Sequence, residues 1–124
     1  MRKFIFSAFV LLLTACSSSP PPVLNKIDSL QIPVVQNSPS AASSAEIALL
    51  HQHNRTILDH LTMQLKTDYL TDVSTADIFD NHSQAHQVYL SLSKLDQMRS
   101  VNNHYLKEKN MNGLHKVNDA LASL

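Results

Sequence analysis

The chain has one glycine (Gly113), one cysteine (Cys16) and no tryptophan. With a single glycine there is no Gly-rich loop to cradle a phosphate, which excludes the nucleotide-binding fingerprints. The same scarcity argues against a β-barrel or sandwich, folds that need many turns. A lone thiol cannot close an internal disulfide. Lys plus Arg and Asp plus Glu balance at ten each. They form no basic stripe, so nucleic acid is not an expected partner. Aromatic residues make up 6% of the chain, which leaves a small core of Leu, Ile, Met, Val and tyrosine. A core of that size is marginal alone, so a protein partner or a second copy of the chain is expected. Neither an HExxH motif nor a nucleophile–base arrangement is present, and no enzymatic activity is expected. Nor is there an apolar run of the roughly 20 residues that a membrane-spanning helix needs.

What is present begins with the ten residues Phe4–Leu13, apolar except for Ser7 and preceded by Arg2 and Lys3. A basic start, a short apolar stretch and then small residues form the layout of a secretory signal. The stretch ends in Leu13-Thr14-Ala15-Cys16, which resembles the lipobox of bacterial lipoproteins. The resemblance implies that the Cys16 thiol receives a diacylglyceryl group, that residues 1–15 are removed, and that the new amino group is often acylated too. No other cofactor is implied. Each buried methylene contributes about 0.8 kcal/mol and one acyl chain holds only marginally, so two or three chains make a stable anchor. Ser17, where aspartate would favour retention at the inner membrane, implies the periplasmic face of the outer membrane in a Gram-negative cell. In a Gram-positive cell the same sequence would lie outside the plasma membrane. Without residues 1–15 the chain carries 8 basic and 10 acidic residues and all seven histidines.

Residues 16–44 are expected to be a disordered Pro/Ser-rich tether. All five prolines lie between 20 and 39, where they favour extended backbone and forbid a long helix. Fully stretched, residues 17–42 would reach on the order of 85 Å. Residues 23–35 are too apolar for a plain spacer. Leu30, Ile32 and Val34 alternate with Gln31 and Pro33, a strand-like period with proline pointing to an edge. Three readings stand: the segment packs on the protein's own helices, Leu30, Ile32 and Val34 dock on a partner's sheet edge or groove, or it is undirected tether.

Residues 45–124 read as a mainly α module, an antiparallel helical hairpin or small bundle. Ser43 and Glu46 have capping-box spacing. Ile47, Leu50, Ile57, Leu58, Leu61 and Leu65 then recur at three- and four-residue steps, predicting a helix that ends near Tyr69 or Leu70. Asn54 interrupts this face. Such a residue either fixes register between packed helices or lies at the helix edge facing water, the commoner case. A second start at Ser74-Thr75-Ala76-Asp77 predicts a helix carrying Ile78, Ala85, Val88 or Tyr89, Leu92 and Leu95 on one face. The short connection makes the two helices antiparallel neighbours. Arg99 and Asn102 fall where apolar residues are due, so a break or kink is expected at 100–103 unless the helix runs on to Lys109. Asn112-Gly113 reads as a stop with glycine as left-handed cap. A short last helix through Leu114, Val117, Leu121 and Leu124 follows.

His82 and His86, four apart, would share a helix face and could begin a metal site, with Asp80, His51, His53 and His60 as conceivable further ligands. Two histidines alone make a weak site, and an ordinary helix surface is the simpler reading. Taken together, the chain is expected to be a lipid-anchored interaction or structural subunit of a cell-envelope assembly. Some small lipoproteins of secretion, conjugation and pilus machines share this anchor-plus-module layout. The alternatives are a periplasmic binding module, metal-responsive through its histidines, and a surface-exclusion or lysis lipoprotein.

Overall fold

A computed structural model describes residues 21–37 and 41–124. The apolar leader, the Leu13–Cys16 motif and residues 17–20 and 38–40 of the expected tether lie outside the described residues. Among the described residues there are five helices and no strand. They are α1 (Pro22–Asp28), α2 (Ser44–Tyr69), α3 (Thr75–Phe79), α4 (Gln84–Lys107) and α5 (Met111–Ala122). The three long helices α2, α4 and α5 each pack on the other two, while α1 and α3 lie against α4. The expected small helical bundle is therefore the fold.

The helix starts follow local chemistry. Ser43 caps α2: its Oγ accepts from the Glu46 N–H at 3.2 Å, and the Glu46 carboxylate accepts from the Ser43 N–H at 3.3 Å. This reciprocal pair satisfies two N–H groups that would otherwise have no helical partner. The helix ends at Tyr69 as the spacing predicts, and Asp72 turns the chain with φ 62°.

The helix expected from Ser74 onward is in fact two. Ser74 caps the five-residue α3. A turn over Asp80–Ser83 then interrupts it, with the His82 N–H on Asp80 Oδ1 at 3.0 Å. Ser83 donates to the Asp80 carbonyl at 2.9 Å and accepts from the His86 N–H at 3.0 Å, which starts α4. Short polar side chains that bond nearby backbone compete with helix, and here an Asp and a Ser three residues apart win.

The break anticipated at 100–103 is absent, and α4 runs unbroken through Lys107. Arg99 reaches across to Asp59 on α2, and Asn102 is fully buried with partners described below. Neither polar residue therefore ends the helix.

The stop anticipated at Gly113 is also misplaced. The left-handed residue is Lys109, φ 54°, and Asn110 caps α5 by accepting from the Gly113 N–H at 3.0 Å. Gly113 lies inside the first turn of α5 for a steric reason. A Cβ there would stand 2.5 and 2.6 Å from Cδ1 and Cδ2 of Tyr105.

The folded unit begins about twenty residues earlier than residue 45. Pro22 opens α1 at a position where proline suits a helix. Leu24, Ile27 and Leu30, three apart, are buried in the core. The Ser91 hydroxyl donates to Asp28 at 3.1 Å and Lys94 Nζ to the Leu30 carbonyl at 3.1 Å. The chain then runs extended along α4. The Tyr105 hydroxyl donates to the Pro33 carbonyl at 2.7 Å and accepts from the Val35 N–H at 2.9 Å. Asn110 Nδ2 donates to the Gln36 carbonyl at 3.0 Å. Of the three readings of this segment, packing on the protein's own helices is the one seen. Its backbone is held by side chains rather than by a strand ladder, so the alternation forms no sheet.

Candidate functional surfaces

Cys16 lies outside the described residues. Leu30, Ile32 and Val34 part company: Leu30 is buried, Ile32 is half-buried against the core, and Val34 is 94% exposed. The three do not present one face, and of them only Val34 is open to a partner. On either side of Val34, the Pro33 carbonyl and the Val35 N–H are both held by the Tyr105 hydroxyl.

His82 and His86 do not share a helix face. His82 lies in the turn before α4, exposed, while His86 belongs to the first turn. The His86 ring shares a 2.8 Å hydrogen bond with the Ile78 carbonyl through Nδ1. It also stacks on Tyr89 with centroids 6.2 Å apart and planes at 27°. These contacts make His86 a brace between α3 and α4. His51 is buried and its Nε2 bonds Asn103 at 2.8 Å, while His53 and His60 are exposed on α2. Among the described residues no three His, Cys, Asp or Glu side chains gather closely enough to hold a metal ion.

The buried polar residues instead join the three long helices. Asn54 is fully buried, which overturns the water-facing reading. Its Nδ2 donates to Asn102 Oδ1 at 2.9 Å and to the Leu114 carbonyl at 3.0 Å. Its Oδ1 accepts from Asn118 Nδ2 at 3.0 Å. Asn102 in turn donates to the His51 carbonyl at 3.2 Å. No buried side-chain nitrogen or oxygen among the described residues lacks a partner. A fully satisfied network of this kind specifies how the helices register.

Exposed aromatic and acidic residues occur together at the hairpin end formed by the α2–α3 turn, α3 and the first turns of α4. Phe79 is 68% exposed and Tyr89 44%, and their rings lie 6.4 Å apart at 55°. α3 buries none of its residues. Asp68, Asp72, Asp77 and Asp80 are all exposed here, and no Lys or Arg occurs between Lys66 and Lys94. Sequence reasoning missed this surface. The signals were the 27 residues without a strong cation and a phenylalanine stranded in a helix too short to bury it. At the other end of the bundle a shallow groove is lined by Glu46, Leu49, Leu50, His53, Met111 and His115.

No described helix is long and apolar enough to cross a membrane. Compared with family models, with curated proteins and with solved structures, the chain matches none.

Proposed function

We propose that this protein is a bacterial lipoprotein, anchored through Cys16 at the periplasmic face of the outer membrane, where its helical bundle serves as an interaction or structural subunit of an envelope assembly. The observation that carries this reading is the order of parts. A basic start, ten residues with one polar member, and Leu13-Thr14-Ala15-Cys16 stand directly before a folded unit. On this reading five residues, 17–21, link the lipid to α1. Five residues span at most about 18 Å, far less than the tether expected from the proline content. The bundle would then work against the membrane surface, and its first role would be local concentration. Confinement near a surface raises the effective concentration of a binding module without any new contact. An assembly of the secretion, conjugation or pilus type fits a small helical module that offers surface for contact.

The test is Cys16→Ser in cells fed labelled palmitate. The parent chain should take up label and sediment with membranes, and the variant should do neither. Label retained by the variant would refute the anchor.

A further inference from the structure

The Phe79–Tyr89 end of the bundle has two independent properties. The first is apolar surface that the fold does not use. α3 contributes no buried residue, so Phe79 does not support the core. Its ring instead leans on Tyr89 at the surface. Single exposed apolar residues are ordinary, but a paired aromatic surface on an otherwise polar turn is less so. The second property is charge of one sign. Asp77 and Asp80 flank Phe79 in sequence, Asp72 lies in the turn before α3 and Asp68 in the last turn of α2, and all four are exposed. Asp28 joins them on the α1 side, where it accepts from Ser91. The nearest cations in sequence are Lys66 and Lys94, and Lys94 is turned onto the Leu30 carbonyl at 3.1 Å. His82 and His86 are the only other basic side chains on this stretch, and the His86 ring is engaged by Ile78 and Tyr89.

From this combination we infer that the Phe79–Tyr89 surface docks a basic segment of a partner protein, one with lysines or arginines on both sides of an apolar residue. The apolar side chain would pack on the two rings, where burial of aromatic surface contributes most to binding. The flanking cations would meet the Asp72, Asp77 and Asp80 carboxylates, and an arginine could also lie over a ring face. Charge complementarity favours this occupant over the simplest competitor. An anionic lipid headgroup would be repelled by the same carboxylates that attract a basic segment. The inference rests on the interaction-subunit reading above, but its readout needs no lipid.

The test uses the purified full chain in a neutral detergent. The probe is a fluorescent nine-residue peptide of lysines around one leucine, compared with its glutamate counterpart by anisotropy. Binding of the lysine peptide alone is expected, weakening several-fold as salt rises from about 50 to 300 mM. Phe79→Ser with Tyr89→Ser should weaken it at least about tenfold. Asp77→Asn with Asp80→Asn should weaken it several-fold and flatten the salt dependence. Leu49→Ser, a similarly exposed position at the other end of the bundle, should change nothing. Unchanged circular dichroism would show that the variants fold. Equal binding of both peptides, or binding indifferent to the aromatic and aspartate variants, would overturn the inference. So would capture of phosphatidylglycerol vesicles, or of a second copy of the chain, through the same residues in place of the basic peptide. Cys16→Ser should bind the peptide like the parent, so loss of the anchor and loss of docking are read separately.

Discussion

Asn54 has hydrogen-bond partners on both neighbouring helices, and that makes it expensive to remove. Truncation to alanine would leave Asn102 Oδ1, the Leu114 carbonyl and Asn118 Nδ2 each short of one partner. Each buried group left unsatisfied costs about 1–3 kcal/mol, offset where water enters the space. Asn54→Ala should therefore lower the unfolding free energy by about 2–4 kcal/mol in urea. A double-mutant cycle with Asn102→Ala should return a coupling of at least about 0.5 kcal/mol. Strict additivity would mean that the two amides do not act together. Gly113 gives the opposite surprise. Alanine is the better helix former by about 1 kcal/mol, so propensity alone predicts that Gly113→Ala stabilises. Sterics decide otherwise, because the Tyr105 ring that the new methyl would strike is pinned through its hydroxyl to Pro33 and Val35. The variant should lose about 2 kcal/mol or more, and a raised midpoint would show that the ring can move aside.

At the scale of elements, the N-terminal segment is where sequence pattern and structure diverge most. Five prolines and a run of small polar residues dominate composition over 17–44, and composition reads as tether. Within it, Leu24, Ile27 and Leu30 carry a helical three-residue spacing that the later alternation at Leu30, Ile32 and Val34 obscures. Burial settles the matter. Leu24 and Ile27 are completely shielded from solvent, so Ile27→Ala should cost about 2–4 kcal/mol. Val34→Ser should stay within about 0.5 kcal/mol, as exposed positions do. Equal sensitivity at both sites in thermal or urea unfolding would contradict the packing of α1. Replacing Leu30, Ile32 and Val34 together would therefore mix a stability effect into any docking test. α4 teaches the converse. Its apolar face falters at Arg99 and Asn102, yet the helix is continuous because both side chains find partners on α2 or its backbone. Polar residues on a core face are breaks only when nothing opposite can satisfy them, and nothing in one helix's sequence says what lies opposite.

For the whole molecule, the consequence of an early α1 is distance. If the anchor is at Cys16, the bundle is tied within about 18 Å of the lipid, with α1 and the first half of α4 nearest the attachment. The docking surface proposed at Phe79 and Tyr89 belongs to that same half, through the Asp28–Ser91 contact and the start of α4. A partner would therefore be met close to the membrane. The residue after the anchor supplies a test of address. In the lipoproteins that the Leu13–Cys16 motif resembles, aspartate at that position favours inner-membrane retention. Ser17→Asp should shift the chain from the outer to the inner membrane fraction on a density gradient. An unchanged distribution would count against the outer-membrane assignment.

Read alone, the sequence determined the mainly helical class, the Ser43 cap with its Glu46 partner, the end of α2 at Tyr69 and the apolar faces of α2 and α5. These depend on spacing and on side chains bonding to backbone three residues away, information that is local. Tertiary structure decided the rest. It turned Asn54 and Asn102 from presumed interruptions into a shared buried network. It moved Gly113 from a presumed cap to a position where a Cβ would strike Tyr105. It drew residues 22–36 out of the expected tether and onto α4, and it left Phe79 outside the core. In each case the deciding atoms belong to a residue about eight to seventy positions away, which only the packed chain brings into contact.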